Sequence, residues 1–311
     1  MHLINQLAKQ MYSRKEKGEK PYVLFLGAGI SVSSGISSMT EMIDRFLTDI
    51  GTASDDLEKM DSEQRFEAFY LAIQKLNEID RYNWLCDGFK NAIPSFGYQA
   101  LIKLVEDGYF DTLFTTNWDE LLEMSLNQSN KIKEKKDYRF YVRGIDRDDY
   151  IITEFRRRVF PKIKIVKLHG ELERRVIYVT PSETADFPAE FANFLREEVF
   201  RSRDIIMIGY SASDQDVKNC IDPAHNSLYY VNPKPPNEDL VKKFHHFEQI
   251  TGDGINFDTF LSGLSEAISR EEIGVRAGVP DKLLEKFGQD IQKLREDFDL
   301  LVKYLKNQTK N

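Results

Sequence analysis

Residues 22–35 read YVLFLGAGISVSSG, and this stretch restricts the fold more than any other. An apolar and aromatic run from Tyr22 to Leu26 stops abruptly at Gly27-Ala28-Gly29. A short continuous apolar run closed by glycine is the pattern of a buried parallel strand feeding a tight turn. Small polar residues follow, Ser31, Ser33 and Ser34, and an amphipathic helical pattern begins at Thr40-Glu41. Strand, glycine turn and helix start together make an anion site for a dinucleotide. A residue without Cβ lets the backbone approach a pyrophosphate, and free N–H groups at a helix start supply donors and partial positive charge. The spacing Gly27, Gly29, Gly35 is looser than the usual dinucleotide fingerprint. The same glycines would equally serve a plain strand–helix corner, so the rest of the chain has to decide.

Further stretches repeat the pattern. Phe110 to Phe114 runs into Thr115-Thr116-Asn117-Trp118-Asp119, and Lys164 to Leu168 ends in His169-Gly170. Asp204 to Ile208 closes in Gly209-Tyr210-Ser211, with Asp214 and Asp216 soon after. Leu228 to Val231 ends in Asn232-Pro233, and Phe247 to Ile250 leads to Thr251-Gly252-Asp253-Gly254. Successive strand-to-polar-turn junctions of this kind predict an α/β fold, a doubly wound parallel sheet with one ligand crevice at the carboxyl edge. There Asn117 and Asp119 are short, stiff hydrogen-bonders suited to orienting ribose hydroxyls or a water; either one also makes a good cap for a helix starting at Glu120. His169 is placed for proton transfer, although a lone histidine is also a common structural residue.

Between these strands, residues 41–95 carry helical periodicity and read as an insertion beside the crevice, its aromatic stripe belonging to a core. Asp61-Ser62-Glu63 reads as a helix start within it. Residues 127–150 read as a polar loop or hairpin excursion, Val176 to Val179 as a further apolar run, and Phe187 to Phe200 as a helix. His245-His246 reads as a surface pair on a helix, because adjacent helical histidines diverge and no carboxylate follows at ligand spacing. A closing helix is expected over Phe257 to Leu264. Beyond it, Leu284, Phe287, Ile291, Leu294, Phe298, Leu301 and Leu305 alternate at helical spacing and form one apolar seam. The organisation expected is therefore a nucleotide-binding domain over 1–268 and a helical tail over 269–311, for packing back or for assembly.

Composition narrows the partners. The formal net charge is −8, which disfavours nucleic acid as a general partner. Cys86 and Cys220 are the only cysteines, too few for a four-cysteine zinc module and far apart in sequence. No stretch approaches the roughly 18 apolar residues of a membrane span. Residues 1–20 have no signal-peptide core and read as a helical lead-in, so a cytoplasmic protein without membrane contact is expected.

With these segments assembled, the chain resembles the sirtuin (SIR2) family, specifically the zinc-free SIR2-like domains of bacterial antiphage defence. The matching stretches are GAGIS at 27–31 with Gly35-Ile36, TTNWD at 115–119, KLHG at 167–170, GYSASD at 209–214, VNP at 231–233 and GDG at 252–254. The resemblance implies a Rossmann-like domain with a helical insertion that binds NAD+ as substrate and needs no metal. It places Ala28, Gly29 and Ser31 at the phosphates and Gly209 and Ser211 at the phosphate–ribose portion. Asn232 and Asp253 would border the adenosine, with Gly27, Gly35, Thr116 and Asp214 completing the binding set. Asn117 would hold the nicotinamide ribose and the attacking water, His169 would be the base, and Asp119 would fix the loop or stabilise positive charge.

Two departures point away from peptide deacylation. Ser37-Ser38-Met39-Thr40 stands where deacetylating sirtuins have Pro-Asp-Phe-Arg, and Glu171 to Pro181 runs on without the zinc ribbon. Thr116 and Trp118 also replace the glutamine and isoleucine usual in deacetylases. The activity implied is NAD+ hydrolysis to nicotinamide and ADP-ribose by the gated effector of an abortive-infection system. Gating would come from a homo-oligomer or a second defence protein that senses infection. A deacylase or ADP-ribosyltransferase, or a non-catalytic subunit sensing NAD or ADP-ribose, are the alternatives.

Overall fold

A computed structural model describes residues 2–157, 160–180, 182–212, 214–221 and 224–277, with positions 286, 289, 290 and 293. Helix α1, His2–Glu16, precedes strand β1, Tyr22–Leu26. Helices α2, Met39–Asp49, α3, Ser54–Lys59, α4, Ser62–Ile73, α5, Glu78–Asp87, and α6, Phe96–Glu106, then lead to β2, Phe110–Thr115. Helix α7, Leu121–Asn127, strand β3, Tyr138–Val142, helix α8, Asp148–Arg156, and strand β4, Ile163–Lys167, follow. A small hairpin pairs β5, Gly170–Glu171, with β6, Val176–Ile177. Helix α9, Ala189–Phe194, passes into a π-helical turn over Leu195–Phe200 and reaches β7, Ile205–Ile208. The described chain closes with α10, Gln215–Cys220, β8, Ala224–Val231, α11, Glu238–Val241, β9, Phe244–Ile250, and α12, Phe257–Ala277.

Seven strands form one sheet in the order β3-β4-β2-β1-β7-β8-β9, parallel at every pairing. The order reverses at β1, which pairs with β2 on one side and β7 on the other, so the ligand crevice of such a sheet is expected at its carboxyl edge there. Alternation along the strands builds two cores. Leu24, Leu26, Leu113, Ile206 and Ile208 face a layer containing α1, α6 and α12, while Val23, Phe25, Phe114, Ile205 and Met207 face α8, α9 and α10. This is the Rossmann-like, doubly wound arrangement, and it explains why β1 is apolar at every position: both of its faces are covered.

The helical insertion has its own core. Phe46 meets Phe69 and Trp84 edge-on, with ring centroids 5.1 and 4.8 Å apart. Capping boxes start two of its helices, Ser38 with Glu41 on α2 and Asp61 with Gln64 on α4.

The structure corrects several local expectations. Residues 127–150 contain strand β3 and the start of α8 rather than only a loop excursion. The run at 176–179 supplies the two-residue β6 of the hairpin, outside the main sheet. His245 and His246 lie exposed on edge strand β9, not on a helix. The closing helix α12 runs past Leu264 to Ala277. The apolar seam from Leu284 to Leu305 lies outside the described residues. Among the described residues no helix is long and apolar enough to cross a membrane.

Candidate functional site

The first wall is made by two turns that interlock. Past β1, the chain makes short 3-10 turns at Ala28–Ile30 and Val32–Ser34, the second closed by Gly35 at a left-handed φ of +89°. Gly27 N donates to Ile208 O at 3.0 Å and Gly29 N to Gly209 O at 2.8 Å, tying this segment to the end of β7. A Cβ on Gly27 would stand 2.5 Å from Tyr210 Cα, and one on Gly29 would stand 2.8 Å from Gly209 Cα. The glycine spacing thus lets two strand-end turns touch. Gly27→Ala keeps an allowed φ of −114° but meets backbone, so it is expected to lower stability by about 1–3 kcal/mol, the usual cost of overpacking, read from urea unfolding.

The second wall leaves β2. Asn117 N donates to Thr115 Oγ1 at 3.0 Å, which turns the loop so that Asn117 and Asp119 point back towards the first wall. Ser31 Oγ donates to Asp119 Oδ2 at 2.7 Å, and Asn117 Nδ2 donates to Ser31 Oγ at 3.0 Å. The directions follow from inventory: a carboxylate only accepts, so Ser31 must spend its one proton on Asp119 and can offer Asn117 only lone pairs. The amide is thereby fixed with its nitrogen on Ser31. Asn117 Oδ1 is buried with no partner among the described residues, as is Trp118 Nε1. Asp119 Oδ1 also accepts from Leu121 N, the first amide of α7, at 3.0 Å, so this residue ties the helix start to the network.

The third wall comes from β4. His169 is 4% exposed, and its Nε2 lies 3.1 Å from Asp216 Oδ2 and 3.4 Å from Oδ1. Asp216, fully buried on α10, also accepts from Val217 N at 2.7 Å. With the Nε2 proton directed at this carboxylate, the imidazole lone pair resides on Nδ1. Beneath the loop, Lys167 Nζ donates to Glu123 Oε1 at 2.6 Å. Burial pushes the Glu123 carboxyl up to about 7, although Lys167 pulls it back.

The three walls enclose a cavity of about 480 Å³. Ala28, Gly29, Ser31, Thr116, Asn117, Asp119, His169, Gly209, Ser211, Asp214 and Asn232 all line it. Three of the residues assigned from sequence do not. Gly27 packs under Tyr210, Gly35 closes the second 3-10 turn, and Asp253 is exposed in the β9–α12 turn. The insertion supplies the opposite side with Met39, Met42, Phe66, Phe69, Tyr70 and Phe89, so part of its aromatic stripe faces the cavity as well as the core. Burial, reinforced by the Asp214 carboxylate, pushes the Tyr70 phenol up to about 12, which keeps it a neutral hydrogen-bond donor. Among the described lining residues there is no lysine or arginine. A bound pyrophosphate would therefore rest on backbone N–H groups and hydroxyls rather than on ion pairs. Among the described residues no group of three or more His, Cys, Asp or Glu is arranged to hold a metal ion.

Asp216, the carboxylate set against His169, is not among the site residues expected from sequence. Its signal was an acidic residue just after a strand–glycine junction, and nothing in the linear order pairs it with a histidine 47 positions earlier.

Residues 111–235 match the family model of the SIR2-like domain. NAD(+) hydrolase ThsA of Cytobacillus dafuensis is 25% identical over 209 residues, which are 63% of this chain and 36% of that protein. The protein of the same name from Acinetobacter baumannii (strain 532279) is 22% identical over 212 residues, 65% of this chain and 39% of that one. The chain thus spans less than two fifths of the length of these curated relatives. Among solved structures, a Sir2 enzyme aligns at 18% identity and a TM-score of 0.46, over 86% of this chain and 98% of its own. A Sir2 homolog–NAD complex aligns at 15% identity and a TM-score of 0.45, over 86% and 94%.

Proposed function

We propose that this chain, which carries a SIR2-like domain over residues 111–235, hydrolyses NAD+ at the nicotinamide–ribose bond. The observation that carries the reading is the meeting of Asn117 and His169 on one cavity beside the Gly27–Gly29 turn, with Asn117 Oδ1 left unpaired. A buried acceptor without a partner is uncommon in a folded protein and calls for a ligand or water to complete it. The two curated relatives bear the name NAD(+) hydrolase, which agrees with the reading.

The chemistry asks little of an acid. Nicotinamide in NAD+ is already cationic, and it leaves as a neutral molecule with the electron pair of the C–N bond. The protein must orient the ribose, favour an oxocarbenium-like centre and aim a water at it. Asn117 Oδ1 accepts from a ribose hydroxyl or from that water. The Asp119 carboxylate, one hydroxyl away through Ser31, supplies negative potential near the developing cation. His169 Nδ1 takes the proton as water adds, giving ADP-ribose and one released proton. The insertion's aromatic side excludes bulk water, so that the positioned molecule reacts.

Such an activity would drain a cell of NAD+, so it fits a gated antiphage effector controlled by self-assembly or by a second protein. The test is to incubate the full chain with NAD+, alone and with the proteins encoded beside it, and to separate products by chromatography. Nicotinamide and ADP-ribose in equal amounts are expected. Product appearing only as O-acetyl-ADP-ribose with an acetylated peptide, or NAD+ bound and never cleaved, would overturn the reading.

A further inference from the structure

Lys167 ends β4 with its side chain only 1% exposed, a position where a strand covered on both faces ordinarily carries an apolar residue. Lysine is almost never buried to this degree without partners. Its Nζ donates to the backbone oxygen of Asp119 at 2.8 Å and to Glu123 Oε1 at 2.6 Å, and Glu171 Oε2 lies 3.7 Å away. Those three groups belong to three different pieces of chain: the loop after β2, helix α7, and the hairpin just past His169. Asn117 stands two residues before Asp119, and His169 stands between Lys167 and Glu171. A second tie runs parallel to the first, since Leu172 N donates to Trp118 O at 3.0 Å.

We propose that Lys167 is a positioning residue: its buried ammonium fastens the Asn117–Asp119 loop to the strand and hairpin that bear His169, and so sets the distance between the two groups across the cavity. Its consequence for turnover rests on the NAD+ hydrolase reading; its consequence for the loop does not. The ammonium is suited to the task because its donors are satisfied by a carbonyl and a carboxylate already in place, with a second carboxylate close by. Reactions that depend on alignment are sensitive to small displacements, and a shift of about 1 Å costs on the order of 10²-fold.

Removing the cation alone would leave the half-buried Glu123 carboxylate without its cation, and Glu171 with Arg174 only, and would destabilise the fold for reasons unrelated to alignment. The informative variant is therefore Lys167→Met/Glu123→Gln, which removes the cation and its closest carboxylate together. Two measurements on the full chain decide. In hydrogen exchange, the amides of Asn117, Leu121 and Leu172 are expected to exchange roughly tenfold faster or more than in wild type, while those of Leu24 to Leu26 stay equally protected, the mark of local rather than global opening. In turnover, kcat for NAD+ is expected to fall on the order of 10²-fold with KM within about threefold, because an aligning interaction acts in the transition state. Wild-type loop exchange, a uniform loss of protection across the sheet, or a loosened loop with unchanged kcat would each overturn the proposal. A wild-type chain that releases no nicotinamide would overturn the hydrolase reading instead, and the exchange measurement would still decide the role of Lys167.

Discussion

Asn117→Ala is expected to hydrolyse NAD+ about 10²–10³-fold more slowly than wild type, the scale for losing one preorganised hydrogen-bonding group at a reacting centre. The expected loss of stability is much smaller, about 1 kcal/mol, because the side chain contributes a single hydrogen bond, to Ser31, within the protein. That contrast separates a role in the reaction from a role in folding. Asn117→Asp sharpens it. Ser31 has one proton, already committed to Asp119, so a carboxylate at position 117 would face lone pairs and be repelled from its place. The isosteric variant should therefore be as slow as the alanine variant, and less stable. Single-turnover rates together with urea midpoints test both statements. Turnover near wild type in Asn117→Asp would mean that the amide's orientation is immaterial, and the assignment would fall with it.

How much of this was legible in the sequence depends on whether a residue's neighbours are close in the chain. Tyr22 to Leu26 was readable as a strand because both faces of β1 are buried, so every position is apolar. Strand β3 was not: Arg139 interrupts it, and as an edge strand pairing only with β4 it needs no second apolar face. The aromatic guanidinium contacts that make Arg139 tolerable, over Tyr141 and Tyr150, appear only after folding. The same division runs through the site. Asn117 and His169 announce themselves at the ends of strands, since the carboxyl edge of a parallel sheet is where ligands bind. Their orienting partners do not. Ser31, which the resemblance puts at the phosphates, lines the cavity with its hydroxyl committed to Asn117 and Asp119, a partnership that the linear order does not show. Lys167 reads as part of a strand with a motif attached, and its partner Glu123 is not singled out at all. Polar groups that hold other polar groups leave little linear signal, because their spacing is set by which strands become neighbours.

The second large effect concerns the pair behind the imidazole. His169→Ala and Asp216→Ala are each expected to slow NAD+ hydrolysis by about 10²–10⁴-fold, the usual range for general acid–base catalysis. The double variant should be little slower than either single one, because the two act as a unit. Asp216→Asn is expected to fall with them despite its similar shape. Two donors converge on this carboxylate, Val217 N at one oxygen and His169 Nε2 nearest the other. An amide supplies a single acceptor atom. If that oxygen stays on Val217, the amide N–H groups face Nε2 and drive the ring proton to Nδ1, where a donor would replace the lone pair needed by the attacking water. If it turns to the histidine, the Val217 N–H is left buried and unpaired at a cost of about 1–3 kcal/mol. Assays well below the unfolding temperature of each variant, with nicotinamide release as the readout, keep the two consequences apart. Losses that multiply in the double variant, or an Asp216→Asn chain with both wild-type turnover and wild-type stability, would show that the carboxylate does not set the state of the ring.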